Sequence, residues 1–511
     1  MEQASVPSSV PEAQKPHVPQ ARLMRFGVYA QCLALLLELG DRQVSFEGFE
    51  TYSSSLNSYF SQQESELRPA CIVAPKTPED VANAVRVLSG DKKTLADDGS
   101  DGGVWGGADF AIRSGGHAAH AGAANIGSTG VTIDLRGLNS IELSADKKTV
   151  SVGPGAKWGQ VYEKLDELNL CVAGGRAAPV GVGGLSTGGG ISYFSPRYGW
   201  TCDTVVNYQV VLADGSIVNA NESENPELLQ ALRGGSNNFG IVTRVDLRTF
   251  EQGKLWGGVL YHAVDTIDAQ LKAFEAFNSA DKYDEYASLI TSFGYAAGRG
   301  SGIVNNLEYT KPLERPPVFE EFMKIPALMN TMRISNMSDI SKEQGSFSTN
   351  GLRQLCLQIT HGTTLPMLNA TFKRWQESVP AIENVTNVVW SLSLEPLPPA
   401  IYKKGASLNS LGLADRSKAL VVTLLTAMWT DKADDGKIEA AARKMFQDIE
   451  ADARSLDEYD PFVYLNYAAA WQDPIASYGG ESVKRLRKVR ATVDPHELFT
   501  TKVPGGFKIP K

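Results

Sequence analysis

The sequence has 511 residues, is 42% hydrophobic and 21% charged, and carries a net charge of −9. Its length exceeds what a single small hydrophobic core supports, so we expect two or three domains. The basic residues are spread along the chain rather than arranged in a stripe, which argues against nucleic acid or an anionic membrane as a partner. The five cysteines form no CxxC pair and the six histidines are scattered, so we expect no metal site.

The N-terminal region predicts a polar tail followed by a helix. Residues 1–22 are polar and rich in proline, and no basic stretch leads into an apolar one, so no signal peptide is predicted. We therefore expect a cytoplasmic or other intracellular protein, with secretion as the alternative. Residues 26–39 have the pattern of an amphipathic helix. Cys32 in this helix and Cys71 are either small core residues or the two halves of a disulfide.

The next stretch predicts alternating strands and helices. Residues 70–73 form a short apolar strand. Thr77, Pro78 and Asp80 have the arrangement of a helix cap, and apolar positions continue at helical spacing as far as Leu88. A strand at residues 110–113 completes a β-α-β unit. The acidic, glycine-rich residues 97–107 are expected to form a surface insertion.

The remaining elements divide the chain into domains. Strands at 131–135 and 149–152, a helix at 158–168 and a hairpin across Asp214 and Gly215 complete an α+β domain at residues 67–248. A tail and helical segment, residues 1–66, precedes it. Residues 249–455 have longer amphipathic stretches and predict a second domain of sheet and helices. Residues 456–511 form a C-terminal segment.

Two glycine-rich stretches carry the strongest chemical signal. The first follows the strand at 110–113 and places two glycines between Ser114 and His117, and the second runs from Gly181 to Gly190. Glycine lets the backbone approach a ligand closely, and unpaired N–H groups in a turn attract an anion. The two stretches together are suited to bind one pyrophosphate without a lysine, unless the glycines serve only tight turns.

Other nucleotide-binding motifs fit less well. A Walker A loop requires Gly-Lys-Ser/Thr, which the sequence lacks. The dinucleotide fingerprint GxGxxG requires a third glycine and a helix that opens at the motif. The stretch from Gly181 has Ser186 in place of the third glycine, and no helix is expected to open there.

Three stretches, in this order, resemble the signatures of FAD-linked oxidoreductases whose flavin domain is of the vanillyl-alcohol-oxidase (PCMH) type: residues 113–117, 181–190 and 233–243. Residues 464–467, 478–480 and 494–495 are similar to the C-terminal segment of berberine-bridge-enzyme-like proteins. The closing residues 503–508 resemble fungal members, many of which act in secondary metabolism. The resemblance covers residues 67–248 and 460 to the end.

The resemblance implies a flavin domain of two α+β subdomains, a substrate domain of antiparallel sheet and helices, and a C-terminal segment that returns to the flavin. It also implies FAD bound covalently through His117. Some relatives carry a second covalent bond from a cysteine before the second glycine stretch, but residues 176–180 contain none, so a single linkage is expected. The residues implied to bind FAD are Arg113, Ser114, Gly115, Gly116, His117, Gly181, Gly183, Gly184, Ser186, Thr187, Gly188, Gly189, Gly190, Gly240, Ile241 and Asn466.

The implied reaction is an oxidation in which a small metabolite gives hydride to the flavin and dioxygen is converted to hydrogen peroxide. Three residues are candidates for the base that takes the substrate proton. Tyr464 is preferred because the family places this segment over the flavin, and otherwise it is a core tyrosine. Glu395 follows an apolar strand whose end is expected at the cleft, and otherwise it is a solvent-facing turn residue. His120 follows His117 by three positions, and otherwise it is a surface residue.

Two other functions fit the same motifs. The flavin can support oxidative or redox-neutral ring closure of a natural product, including a cycloaddition-type closure. A non-catalytic FAD-fold binding protein is the other alternative, although the intact glycine stretches argue against it. The sequence predicts neither the substrate nor the oligomeric state.

Overall fold

The computed structural model describes residues 20–90 and 107–511. The predicted polar tail lies mostly outside these residues, and so does the predicted acidic insertion except for Gly107. Within the described ranges, no helix is both long and apolar enough to cross a membrane.

The first subdomain is a four-stranded sheet with helices. Its elements are α1 (Gln20–Leu39), β1 (Val44–Ser45), α2 (Glu50–Leu56), α3 (Gln62–Ser65), β2 (Cys71–Val73), α4 (Pro78–Ser89), β3 (Asp109–Arg113) and β4 (Gly130–Asp134). The strand order is β1-β2-β4-β3, and both β2 and β3 run parallel to β4. The predicted β-α-β unit is therefore present, with β4 between its two strands. Thr77 caps α4 as predicted, because its side chain accepts a hydrogen bond from the Asp80 N–H and Asp80 accepts one from the Thr77 N–H.

The second subdomain is built on a five-stranded antiparallel sheet in the order β5-β6-β10-β8-β9. Its elements are β5 (Ile141–Leu143), β6 (Thr149–Val152), α5 (Trp158–Asp166), β7 (Leu170–Cys171), α6 (Val182–Thr187), α7 (Ser195–Tyr198), β8 (Val205–Val211), β9 (Ile217–Asn221), α8 (Pro226–Gly235), β10 (Ile241–Arg248) and β11 (Phe250–Glu251). The strands β8 and β9 form the predicted hairpin.

The helix α6 corrects the prediction that no helix opens in the second glycine stretch. It begins directly after Gly181. Its first two N–H groups, those of Val182 and Gly183, donate to the carbonyl oxygens of Ala156 at 2.9 Å and Pro154 at 3.3 Å. These long-range contacts stabilise a helix that two adjacent glycines and a threonine would not form by intrinsic preference.

The rest of the chain forms a nine-stranded sheet with helices, except that its last two helices return to the second and the first subdomain. These elements are β12 (Leu255–His262), α9 (Ile267–Asn278), β13 (Ala287–Ala296), β14 (Gly300–Tyr309), α10 (Glu320–Lys324), β15 (Met329–Asn330), β16 (Arg333–Ser335), α11 (Met337–Gly345), β17 (Arg353–Gly362), α12 (Leu365–Ile382), β18 (Val389–Leu397), α13 (Pro399–Tyr402), β19 (Leu420–Trp429), α14 (Asp435–Ser455), β20 (Tyr459–Asp460), α15 (Gly480–Val493) and α16 (Leu498–Thr501). All strand pairs in this sheet are antiparallel.

The position of Glu395 differs from the predicted strand end. It lies inside β18, opposite Val422 of β19, and its side chain is buried. The turn-like proline that follows it, Pro396, is still part of the strand, which is why the sequence placed the strand end too early.

The fold class is confirmed: two α+β subdomains are followed by an antiparallel sheet with helices, and the chain after residue 460 returns to the second glycine stretch. The domain limits at residues 66, 248 and 455 stay predictions. Of the two alternatives for Cys32 and Cys71, the structure shows the disulfide, which joins α1 to β2. Cys171, Cys202 and Cys356 are free.

The two glycine stretches meet backbone to backbone. A side-chain carbon added to Gly115 would lie 2.5 Å from the Cα of Gly181, and one added to Gly181 would lie 2.6 Å from the Cα of Gly115. Because the colliding atoms belong to the main chain, rotation of a side chain cannot relieve the clash. Only glycine at both positions permits this approach.

We expect Gly181→Ala to destabilise the protein by about 1–3 kcal/mol or more, because the added methyl group forces two backbones apart. The matched control is Gly127→Ala, since a carbon added to Gly127 meets no atom within 4 Å. Urea denaturation of the two variants without added cofactor measures the difference. Equal midpoints for the two variants would show that the approach of the turns is not a tight constraint.

Candidate flavin site

Arg113 holds the first glycine turn in place from the protein interior. Strand β3 ends at this residue, and the guanidinium is completely buried. It lies 3.7 Å from the centre of the Tyr59 ring and 3.6 Å from a carboxylate oxygen of Asp134, and it donates to Ser58 Oγ at 2.8 Å. The charge of Arg113 is therefore directed into the protein, where it orders the turn, rather than outward to a ligand.

The first turn presents unpaired donors. Within residues 20–90 and 107–511, the N–H groups of Gly115, Gly116 and His117 have no hydrogen-bond partner. Ser114 lies beside them, and its hydroxyl donates to the carbonyl oxygen of Pro154. Adjacent N–H groups on a turn that contains glycine attract a phosphate-type anion. The turn thus has the donor set that a pyrophosphate requires.

The second glycine stretch adds further donors beside the first. The N–H group of Gly184 is likewise unpaired among the described residues, and a carbon added to Gly184 would meet open space. Ser186 Oγ is buried and makes no hydrogen bond with the described protein atoms. A buried polar atom without a partner costs free energy, so this hydroxyl is suited to a bound group. Thr187, in contrast, donates to the carbonyl oxygen of Gly183 at 3.0 Å.

His117 is half-buried and is present as a neutral imidazole at physiological pH. Burial, assisted by the charge of Lys157, lowers the pKa of His117 to about 4. The ring stacks on Phe60, with centroids 4.0 Å apart and planes 15° apart. No protein atom of the described residues forms a hydrogen bond with either ring nitrogen. A neutral, unpaired imidazole nitrogen is a competent nucleophile.

The C-terminal segment packs on the far end of the second glycine stretch. The amide oxygen of Asn466 lies where a side chain on Gly188 would be. The Tyr464 hydroxyl accepts hydrogen bonds from the Gly190 N–H and from Asn466 Nδ2, each at 2.9 Å. Burial raises the pKa of Tyr464 above its ordinary value. Tyr464 therefore holds the segment against the glycines, as its alternative role of a core tyrosine implies.

A buried triad lies next to Tyr464. Arg176 Nη2 is 2.7 Å from Glu395 Oε2 and 2.6 Å from the hydroxyl of Tyr467, which in turn donates to Glu395 Oε1 at 3.2 Å. The Tyr467 ring is partly exposed and stands edge-on to Tyr464, with centroids 4.8 Å apart. Although burial opposes its charge, Glu395 raises the pKa of Arg176, which is therefore a permanent cation.

This triad is suited to proton transfer. Burial raises the pKa of Tyr467, the Arg176 charge opposes this rise and the Glu395 charge adds to it, so the phenol keeps its proton and directs it at Glu395. Arg176 and Tyr467 were not among the predicted site residues. Arg176 lies in the stretch noted for its missing cysteine, and Tyr467 lies in the tyrosine-rich tail, but no local pattern links either of them to Glu395.

The other predicted residues lie apart from this triad. His120 packs on Phe507 with centroids 5.7 Å apart, and no hydrogen bond or ring contact within the described part of the chain joins it to Tyr464 or Glu395. Burial lowers the pKa of His120. Gly240 and Ile241 lie at the start of β10 against Val211, and the Ile241 side chain is buried. Contact of these two residues with an adenine stays a prediction.

Comparison with known proteins shows which proteins the chain is related to. Residues 69–221 match the model of an FAD binding domain. The chain is 37% identical over 495 residues to FAD-dependent monooxygenase CTB5 of Cercospora beticola, a match that covers 94% of this chain and 92% of that protein. It is 43% identical over 484 residues to a protein named oligopeptidase PhomG' of Diaporthe leptostromiformis, of which it spans 37% of the length.

A solved structure shows the same fold. Berberine-bridge-enzyme-like protein 1 of Physcomitrella patens superposes with a TM-score of 0.74 at 19% identity, covering 94% of this chain and 99% of that one. The match to the Cercospora beticola protein and the FAD binding domain identify the chain as a member of a family of fungal FAD-dependent oxidoreductases, and the superposition shows that it has the berberine-bridge-enzyme-like fold.

Proposed function

We propose that the protein is an oxidase that carries FAD on His117, takes hydride from a small, fairly apolar metabolite and releases hydrogen peroxide. The observation that carries this proposal is the Arg176–Tyr467–Glu395 triad beside the glycine stretches. Such an oxidation needs a base close to the cofactor, and this triad supplies one. When bound, FAD accepts a hydride from a substrate carbon and passes two electrons to dioxygen.

The chain's own residues have separate roles in this proposal. The unpaired N–H groups of the two turns and the Ser186 hydroxyl hold the pyrophosphate. Asn466 and Gly188, which pack against each other, would lie beside the bound ring system. As hydride leaves the substrate, Tyr467 takes the substrate's hydroxyl proton and passes its own to Glu395, so one hydride and one proton leave the substrate together. The Arg176 guanidinium stabilises the negative charge that the Tyr467 oxygen carries while the two protons move.

The covalent linkage through His117 is also part of the proposal. His117 would hold FAD through a bond from an imidazole nitrogen to the ring-methyl carbon; the carbon and the imidazole would each lose one proton, and dioxygen would take the two electrons. The neutral state of His117 and its unpaired nitrogens support this role. No cysteine lies in residues 176–180, so the linkage is single.

Two other functions have support. Relatives such as the Cercospora beticola protein are named monooxygenases, which favours insertion of one oxygen atom into the product. Ring closure of a natural product uses the same cofactor and remains the other alternative. The small-metabolite substrate and dioxygen are the proposed partners, without nucleic acid or metal.

Localisation is likewise a proposal. The sequence predicts an intracellular protein, but the Cys32–Cys71 disulfide is of the kind that forms and persists in oxidising compartments. The disulfide therefore favours the alternative, passage through the secretory route.

The ratio of hydrogen peroxide released to dioxygen consumed distinguishes these functions. We expect that any compound turned over from a panel of small aromatic and alicyclic alcohols and phenols will yield one hydrogen peroxide per dioxygen consumed, because the two substrate electrons have no other acceptor. An oxygen electrode with a peroxidase-coupled dye measures both. Dioxygen consumed without peroxide indicates a monooxygenase, and turnover without dioxygen indicates redox-neutral ring closure. Either result contradicts the oxidase.

Acid precipitation tests the covalent linkage between His117 and FAD. We expect acid-precipitated wild-type protein to retain flavin in the pellet and His117→Ala to release all of its flavin into the supernatant, since denaturation frees only non-covalent cofactor. His120→Ala is the control, because His120 is a neighbouring half-buried histidine without the same role in the proposal. A colourless wild-type pellet would exclude the linkage.

Removing the hydroxyl oxygen of Tyr467 tests whether this residue is the base. We expect Tyr467→Phe to lower kcat by a factor of about 10²–10⁴ with little change in bound FAD, because the proton path from substrate to Glu395 is broken. Tyr464→Phe is the comparison, and it should affect the packing of residues 464–466 more than the pH dependence of kcat. A Tyr467→Phe enzyme as fast as wild type would remove Tyr467 from the mechanism.

A further inference from the structure

Residues 59–64, here called the clamp segment, run along one side of the first glycine turn. The Phe60 N–H donates to the Gly116 carbonyl oxygen at 2.9 Å, and the Phe60 ring forms the stack with His117. Among the described residues this is the single ring contact of His117, and its nitrogens have no hydrogen-bond partner. The orientation of the His117 imidazole therefore depends on Phe60.

The clamp segment also holds the residues that follow His117. The buried carboxylate of Glu64 accepts hydrogen bonds from the N–H groups of Gly122 at 3.1 Å and Ala124 at 2.7 Å. The Tyr59 hydroxyl donates to the Ala124 carbonyl oxygen at 2.9 Å. Burial raises the pKa of this carboxyl group to about 7, against the opposing effect of the backbone N–H groups. Releasing the loop would leave a buried carboxyl group and two backbone donors unpaired, which is costly. The chain is thus attached to the clamp segment both before and after His117.

The opposite side of the clamp segment is attached to the nine-stranded sheet. The Phe60 carbonyl oxygen accepts from the Gly351 N–H at 3.0 Å. The Gln63 amide donates to the Gln354 carbonyl oxygen at 2.8 Å and accepts from the Gln354 N–H at 3.1 Å, so it pairs with the edge of β17 as a neighbouring strand would. The position of Phe60 is therefore set by the sheet as well as by the flavin subdomain.

We propose that the clamp segment positions His117 for its bond to the flavin ring methyl, with Phe60 and Glu64 as positioning residues. This inference rests on the covalent linkage in the proposed function. The bond-forming step needs a nitrogen lone pair aimed at the methyl carbon, and a displacement of about 1 Å can slow such a step by about a hundredfold. An aromatic face orients the imidazole and leaves both ring nitrogens available. A hydrogen-bonding partner would instead occupy one of the nitrogens.

The test uses the full-length chain with three substitutions. Phe60→Leu removes the ring face, Phe60→Tyr keeps it, and Phe49→Leu is a matched control outside the clamp segment, because Phe49 is 64% exposed. Each protein, prepared without flavin, is incubated with FAD and precipitated with acid at timed intervals. Flavin in the pellet measures the covalent fraction, and gel-filtered native samples measure total bound FAD.

We expect Phe60→Leu to form the bond at least about tenfold more slowly than wild type while binding the same total FAD, because the imidazole loses its orientation and the pyrophosphate donors are unchanged. Phe60→Tyr and Phe49→Leu should keep the wild-type rate. A wild-type rate in Phe60→Leu overturns the inference. So does a loss of total FAD in proportion to the covalent fraction, because the segment would then act on cofactor binding.

Glu64→Gln gives an independent answer if Phe60→Leu does not fold. Its amide group would face a backbone N–H with a donor instead of an acceptor, which loosens the loop after His117. A slower bond at unchanged total FAD supports the inference, and the wild-type rate overturns it. Absence of covalent flavin in the wild type contradicts the linkage itself, so the two failures are distinguishable.

Discussion

The approach of two backbones at Gly115 and Gly181 is the contact on which the rest of the site depends. Carbon atoms added there would collide with main-chain atoms at 2.5 and 2.6 Å. Because the turns touch, the unpaired N–H groups of the first stand beside the unpaired Gly184 N–H in the first turn of α6, an arrangement suited to a single bound anion. The same contact orders the chain on both sides: His117 follows the first turn, and Gly188, which contacts Asn466, follows helix α6 within the second stretch.

Two buried ion pairs hold the loops that lead to this contact. Arg113 with Asp134 fixes the end of β3, and Arg176 with Glu395 fixes the loop before Gly181. Buried pairs of this kind add little net stability against an apolar alternative, but removing one partner is costly because a charge is left unpaired. Their effect here is geometric. The second pair also brings a permanent cation to the Tyr467 phenol, which joins the loop before α6 to the C-terminal segment.

Much of the local structure was predictable. The cap of α4 follows from Thr77 and Asp80, and the β8–β9 hairpin follows from Asp214 and Gly215, because the residues that specify these features are neighbours in the chain. The fold class was predictable from the three glycine-containing signatures. Helix α6 was not, since its N–H groups pair with a segment almost thirty residues earlier. The burial of Glu395 was not either, because the proline after it resembles a turn in sequence but continues β18 in the structure.

The sequence by itself determined the family, the flavin cofactor, the glycine turns and the position of His117, since each of these depends on short runs of consecutive residues. The tertiary structure alone decided which side chains meet. Arg176 lies 219 residues from Glu395 and 291 from Tyr467, yet their polar atoms are within hydrogen-bond distance. Phe60, likewise, reaches His117 from a different segment. Spacing along the chain carries no information about such contacts, because packing of separate sheets and loops brings them together.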